Sequence, residues 1–442
     1  MPSVHVIGAG LAGLNCALRL AERSANVRLY EAAGHAGGRC RSYFDQQLDC
    51  WIDNGNHLIF SGNGAAHRYL QAIGAADSMI DPGRAAFPYL DLASNRRWTL
   101  RLNEGRWPWW VFRRDRRVPG TGLRDYLGLL RFAKAGTSAT VRDVVAPSHP
   151  LFTPLIEPLA VAVLNAAPED GAARLLWPVI VETFGRGGHA CHPLIARQGL
   201  SMSLVEPAVR RLRELGVEID LNERLRALEF RDDRVSSLSF IGRDLRLADD
   251  DAVVLAVPHR VAATLLPGAS FPEGSRSIVN AHFRLPAPVP LRDGMAFLAL
   301  LNGTAHWLFF RDDIVSATVS AAEHLVDLPA ETIAARIWAD VARAVEVPLE
   351  PMPPFRIVKE KTATFAQTPA EVARRPGAET AYRNLFLAGD WTDTGLPATI
   401  EGALRSGETA ARLVLAHPSM AGVPMARNQL STRQPATVKF VP

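Results

Sequence analysis

The sequence predicts an α/β fold whose parallel sheet is assembled from separated stretches of chain, with an α+β domain inserted between them. Three observations carry this. A glycine triplet joins a strand-like run to a helix-like run near the N-terminus, a strand, Gly-Asp and helix series stands near the C-terminus, and a helix–strand stretch of the same character lies between them.

The N-terminal element is an apolar run, Val4 to Ile7, followed by Gly8-x-Gly10-x-x-Gly13 and a segment with Leu11, Leu14, Leu18 and Leu20 at helical spacing. A second apolar run, Val27 to Tyr30, ends in Glu31, 18 positions after Gly13. This is the pattern of a Rossmann-like βαβ dinucleotide site. The glycines permit a tight turn, close approach of backbone to a pyrophosphate and close helix–strand packing, while the helix N-terminus offers N–H groups to the phosphates. Glu31 is placed to accept hydrogen bonds from ribose hydroxyls.

Gly37-Gly38-Arg39 follows at once, and Asp53-Asn54-Gly55-Asn56-His57 comes shortly after. A nicotinamide site does not need the second glycine pair. An embedded FAD does, because the backbone must approach the cofactor again beyond the ribose, and Arg39 neutralises phosphate charge.

Near the C-terminus, Leu385 to Ala388 reads as a short buried strand ending in Gly389-Asp390. Pro397 and Thr399 then open a helix from Ile400 to Leu415. Asp390 suits ribityl or pyrophosphate oxygens, and a helix N-terminus at Thr399 and Ile400 favours the negative charge of a reduced flavin. The middle piece begins near Gly199, with a helix from Leu204 to Leu215, a strand from Val217 to Leu221 and an apolar strand from Asp251 to Val257 stopped by Pro258.

With these residues in view, the chain resembles the squalene-associated FAD-dependent oxidoreductases, the hydroxysqualene dehydroxylases of hopanoid biosynthesis, within the wider group of phytoene desaturases and flavin amine oxidases. The resemblance rests on Gly37-Gly38-Arg39 with Arg41-Ser42, Asp53-Asn54-Gly55-x-His57, Pro158-Leu159 through Leu164-Asn165, Glu360-Lys361-x-Ala363-Thr364-Phe365, and Leu385 to Gly407. The narrower likeness lies in Asp390 to Ala403 and the two central runs. It departs at Asn56, where the family pattern has glutamine, and over Arg101 to Pro119. The resemblance implies that the hydroxyl of a long allylic isoprenoid alcohol is replaced by hydride from reduced FAD. It also implies that backbone near Arg224 and Leu225 touches the adenine.

The bulk properties agree with such an enzyme. A chain of 442 residues, 48% hydrophobic and 21% charged, has room for two domains and a large core. Its expected division is a cofactor domain of residues 1–73, 198–257 and 384–420, a substrate domain of 74–197 and 258–383, and a disordered tail over 421–442. The apolar run Leu151 to Ala167 reads as a buried or pocket-lining helix. Cys16, Cys40, Cys50 and Cys191 have no metal-ligand spacing, so no metal is expected. With no leader at the N-terminus, they point to the cytoplasm. A net charge of +4 with scattered basic residues gives nucleic-acid binding no support. Trp107, Trp109 and Trp110 ahead of Arg113, Arg114, Arg116 and Arg117 have two readings, a peripheral contact with the inner membrane or a core edge with a solvated turn. No second nucleotide fingerprint is present, so the reductant is expected from a partner protein or by diffusion.

Hydroxide leaves poorly, so the reaction needs an acid. Asp53 and His57, four positions apart, are the first candidates: a carboxylate facing the imidazole would keep it protonated near neutrality, although both residues also suit a packed loop. Asp393 is the rival acid. Two other redox readings are a carotenoid or phytoene-type desaturase and an amine oxidase, for which Lys361 is either the lysine near flavin N5 or a lysine paired on the surface. An FAD-stabilised scaffold without catalysis is the remaining class.

Overall fold

In the computed structural model, which describes residues 2–290 and 294–417, two sheets carry the architecture. The first is parallel and five-stranded, in the order Glu218–Leu221, Asn26–Glu31, Ser3–Ile7, Ala252–Leu255, Leu385–Leu387. Its strands come from three distant stretches, yet their registers mesh: Val6 pairs with both Leu29 and Val254, and Val254 pairs with Phe386. Both faces are covered at the sheet centre, which is why Ala252–Leu255 and Leu385–Leu387 read as unbroken apolar runs.

One face packs under the helices Leu11–Ala21 and Ile400–Ala416, through Leu14, Leu18, Leu404 and Val414. The two helices touch because position 407 is glycine; a Cβ there would lie 2.3 Å from the Ala12 carbonyl oxygen. The other face is covered by an antiparallel sheet of Leu225–Arg231, Arg234–Phe240 and Asp244–Arg246, with Phe240 against Tyr30 at 4.8 Å between ring centroids.

Two helices depart from the expected form for one reason. The expected helix Leu204 to Leu215 is a π-turn, Ser201–Val205, running into an α-helix, Glu206–Glu214. The run from Leu151 likewise begins as a π-turn, Phe152–Ile156, before the α-helix Glu157–Leu164. Pro207 and Pro158 stand just beyond the junctions. A proline ring in a helix clashes with the carbonyl four residues back, and a widened turn moves that carbonyl aside. The Ile156 N–H accordingly donates to the Leu151 carbonyl, five residues back, at 3.0 Å.

The second sheet has seven strands, in the order Phe355–Phe365, Ser275–Arg284, Ile314–Ser320, Trp307–Arg311, Phe297–Leu301, Ala86–Asp91, Arg96–Arg101. All neighbours are antiparallel except Phe297–Leu301 beside Ala86–Asp91. Val279, Ala281, Phe283, Leu308, Val315, Ala317 and Val319 pack on one face against Ile333, Ile337, Trp338 and Val341 of the helix Ala330–Val345. Successive residues alternate faces, so Asn280, His282, Ser316 and Thr318 point the other way. Among the described residues no helix is long and apolar enough to cross a membrane. The expected tail, 421–442, and residues 418–420 lie outside the described residues.

Candidate functional site

The glycines at the end of Ser3–Ile7 divide into two kinds. A Cβ at Gly13 would sit 1.8 Å from the Gly8 carbonyl oxygen, and one at Gly8 would sit 2.5 Å from that of Ala256, so these two are demanded by packing. A Cβ at Gly10 meets nothing within 4 Å, and one at Gly38 meets only the Gly10 Cα, at 3.5 Å. Gly37, at a φ of +109°, donates its N–H to the Ala9 carbonyl at 2.8 Å and brings the second glycine turn beside the first. Gly10 caps the helix Leu11–Ala21 with no side chain across its end.

Glu31 stands at the margin of this space. Its two carboxylate oxygens accept the N–H groups of Ala9 and Ala33, both at 2.8 Å, which fixes the side chain. Arg39 donates to Asp390 Oδ1 at 2.7 Å and to the Ala363 carbonyl. The Asp390 carboxylate holds the Arg39 guanidinium firmly charged against the opposing effect of burial. These residues fit a dinucleotide: a cradle free of side chains at a helix N-terminus, a fixed carboxylate for ribose hydroxyls, and an arginine–aspartate pair beyond.

The C-terminal loop is held by two buried residues that no motif singles out, Arg375 and Gln367. Arg375 donates to the carbonyls of Leu396 at 2.8 Å, Asp390 at 3.2 Å and Trp391 at 3.4 Å, and also to that of Thr392. Burial pushes its pKa down to about 10. Gln367 accepts the Ala398 N–H at 2.8 Å and donates to the Leu164 carbonyl at 2.8 Å, tying this loop to the end of the apolar helix. Gly389 is required by Trp391, whose indole nitrogen would lie 2.3 Å from an added Cβ. Thr399 caps the helix that Ile400 opens, its hydroxyl accepting the Gly402 N–H at 3.1 Å.

The expected Asp53–His57 pair is not formed. Asp53 Oδ1 accepts the Ser42 hydroxyl at 2.5 Å and the Leu200 N–H at 2.8 Å, while Oδ2 takes Arg311 at 2.7 Å. Among the described residues no hydrogen bond joins Asp53 to His57. The direction is the reverse of the one expected: burial pulls the His57 pKa below the ordinary histidine value, outweighing the opposing charge of Asp53, and Arg39 acts the same way as burial. His57 is surrounded by protein yet reached by solvent, and it lines a cavity with Asn56, Phe309, Arg311 and Ser316. Asp393 is exposed, and its Oδ1 accepts the Gly395 N–H at 3.2 Å. Lys361 is exposed as well and pairs with Asp327 at 2.7 Å. No three His, Cys, Asp or Glu side chains among the described residues are grouped to hold a metal ion.

The face of the seven-stranded sheet turned away from the helix Ala330–Val345 is graded. At one end Asn56 Nδ2 donates to Thr318 Oγ1 at 3.0 Å, Thr318 donates to Asn280 Oδ1 at 2.8 Å, and Asn280 donates to the Asn54 carbonyl at 3.1 Å. Asn54 Nδ2 reaches Glu360 at 3.2 Å and the Arg39 carbonyl at 3.4 Å, so the polar end abuts the Arg39 turn. Across the sheet the same face becomes aromatic: Trp307 lies 6.1 Å from Phe297, Phe297 lies 6.1 Å from Phe87, and Tyr89 stacks on Trp98 at 5.4 Å. Trp98, Trp307 and Phe309 remain only partly buried.

The sequence pattern of the flavin-containing amine oxidoreductases matches residues 11–415. A hydroxysqualene dehydroxylase of Rhodopseudomonas palustris is 50% identical over 94% of this chain and 98% of its own, and one of Zymomonas mobilis is 42% identical over 94% and 100%. The chain belongs to the hydroxysqualene dehydroxylase family of flavin-containing oxidoreductases. The likeness falls to 24% for a 15-cis-phytoene desaturase of Arabidopsis thaliana, over 93% of this chain and 80% of that one. Among solved structures, cyclohexylamine oxidase of Brevibacterium oxydans superposes with a TM-score of 0.70 at 15% identity, covering 94% of this chain and 99% of that one. Putrescine oxidase gives 0.65 at 15%, with the same coverage. At that identity the likeness is one of fold, an α/β FAD-binding fold. Membership of the family makes the protein a flavin-dependent oxidoreductase with FAD as its cofactor.

Proposed function

We propose that the protein converts hydroxysqualene to squalene, and that the graded sheet face orients this substrate. The gradient is the observation that carries the reading. A C30 isoprenoid alcohol has one hydroxyl on a long hydrocarbon, and the face offers one polar cluster, Asn56, Thr318 and Asn280, beside an aromatic wall. The turns of Gly8, Gly10, Gly13, Gly37 and Gly38 with Glu31, Arg39 and Asp390 would hold FAD, which in its reduced form would supply the hydride. The protein's own part is to hold the hydroxyl at the polar cluster, protonate it so that it leaves as water, and keep bulk water from the allylic cation that remains.

His57 is the proton donor of this reading. With its pKa below the ordinary value, its protonated form is the stronger acid. Asp53 is a positioning residue, acting through Arg311 and the Leu200 backbone. In this reading segments 1–73, 198–257 and 384–420 serve the cofactor, apart from Asn56 and His57, which reach the substrate, and 74–197 with 258–383 serve the substrate. The enzyme works in the cytoplasm against the inner membrane, and its reducing equivalents come from a partner protein or a diffusing reductant.

The test is to incubate anaerobic, reduced enzyme with hydroxysqualene, and oxidised enzyme with phytoene, and to identify products by mass spectrometry. Squalene from the first and unchanged phytoene from the second are expected. Desaturated phytoene with hydroxysqualene untouched would replace this reading with that of a desaturase.

A further inference from the structure

We infer that the surface built by Trp107–Phe112 and Leu123–Lys134 is a docking face for an anionic lipid bilayer. The core-edge reading holds for part of the tryptophan–arginine segment. Trp110, Val111, Tyr126 and Phe132 turn inward, Trp110 meeting Tyr126 edge-on at 5.0 Å and the Tyr126 hydroxyl accepting the Val118 N–H at 2.9 Å. Their neighbours turn outward. Trp107 is 76% exposed, Trp109 65%, Phe112 57%, Leu127 56%, Leu130 57% and Leu123 42%, a concentration of large apolar side chains that a surface in water does not ordinarily present.

Charge selects the occupant. Between Glu104 and Lys134 there are eight basic residues against three acidic, a net +5 in a chain whose total is +4. Arg106, Arg113, Arg114, Arg124, Arg131 and Lys134 are exposed around the apolar side chains. Two tryptophans and three leucines exposed in the same two segments as these basic residues match the layering of a membrane interface, with indoles at head-group level and guanidinium groups on anionic phosphates. A second copy of this chain is a poor alternative, because identical basic rims would face one another across a two-fold contact. The inward residues belong to the same core cluster as Phe87, Phe297 and Leu155, with Trp98 and Trp307 packed against it, so the docking face backs directly onto the aromatic end of the graded sheet. The surface stands on exposure and charge alone; that substrate passes from bilayer to sheet by this route rests on the hydrocarbon reading given above.

The experiment is co-sedimentation of the FAD-loaded protein with vesicles of phosphatidylcholine alone or mixed with phosphatidylglycerol. The native protein is expected to sediment with the mixed vesicles and to be released by high salt. Trp107→Ser with Trp109→Ser, and separately Arg114→Glu with Arg131→Glu, are each expected to lower partitioning by ~10-fold while keeping a full complement of flavin. Equal sedimentation of native and variant proteins, no binding to either vesicle, or a concentration-dependent dimer abolished by Trp109→Ser would each overturn the inference. Vesicle binding with no squalene formed would leave the docking face standing and count against the proposed reaction; squalene formed from detergent-dispersed substrate without vesicle binding would do the opposite.

Discussion

On the proposed function, the two sheets of this protein place their work in different parts of the residue. In the parallel sheet it lies in the backbone: open N–H groups at a helix end, glycines that keep Cβ atoms out of one space, and a carboxylate pinned by main-chain donors. In the seven-stranded sheet it lies in a face of side chains contributed by strands far apart in sequence, as when Asn280 meets Thr318 and both meet Asn56. A backbone site tolerates few alternatives and so writes a fixed spacing into the chain. A side-chain face leaves only a pattern of alternation.

The sharpest way to break the comparison is inside the glycine motif itself. Gly13→Val drives a side chain into the Gly8 carbonyl and is expected to give no folded protein. Gly10→Val meets empty space, so the variant is expected to fold normally and bind no FAD. Circular dichroism and flavin absorbance separate the two, and a yellow Gly10→Val protein would contradict the assignment of that space. Arg375→Leu comes next: it orphans several buried carbonyls of the C-terminal loop and is expected to cost about 3 kcal/mol of stability, measured by denaturant unfolding.

Much of the backbone site was legible beforehand for this reason. Strand, glycine triplet, Glu31, the Gly37–Arg39 turn and the helix from Ile400 stand where spacing put them, because each has a local physical requirement. The π-turns ahead of Pro158 and Pro207 were not, although both prolines were in view, because a proline predicts a disturbed helix without saying how the ladder recovers. Asn280 and Thr318 left one usable signal: Val279-Asn280-Ala281-His282-Phe283 and Val315-Ser316-Ala317-Thr318-Val319 alternate strictly, which marks a strand with a polar face. Arg375 and Gln367 left none, since their partners are carbonyls and N–H groups brought near only by the fold. The Asp53–His57 spacing misled because Arg311, more than 250 positions away, takes the carboxylate first.

Changes on the side-chain face are expected to be graded. His57→Ala should keep reducible FAD and lose dehydroxylation by ~100-fold. Because the His57 pKa lies below the ordinary value, activity in the native enzyme should rise as pH falls below about 6.5, and His57→Ala should abolish that rise. An inactive Asp393→Asn protein with flavin in place, beside a His57→Ala protein of near-normal turnover, would move the acid to the C-terminal loop. Thr318→Val, which removes one hydroxyl contact from the polar cluster, should raise KM or lower kcat by ~10-fold without altering flavin affinity.

The smallest effect concerns stability in acid. His282 is buried with its Nδ1 against the Ser316 hydroxyl at 2.7 Å, and burial lowers its pKa to about 4. The unfolded chain therefore takes up this proton first as pH falls, and stability should decline between the ordinary histidine value and about 4. In His282→Asn that part of the decline should be absent, read as a flatter dependence of Tm on pH.

A single turnover without oxygen tests the central claim most directly. Enzyme whose bound FAD has been reduced is mixed with one equivalent of hydroxysqualene, and flavin absorbance and product are followed together. The account predicts that the yellow colour returns as squalene appears, one molecule for each flavin reoxidised. Flavin that stays reduced while hydroxysqualene is recovered intact would contradict it.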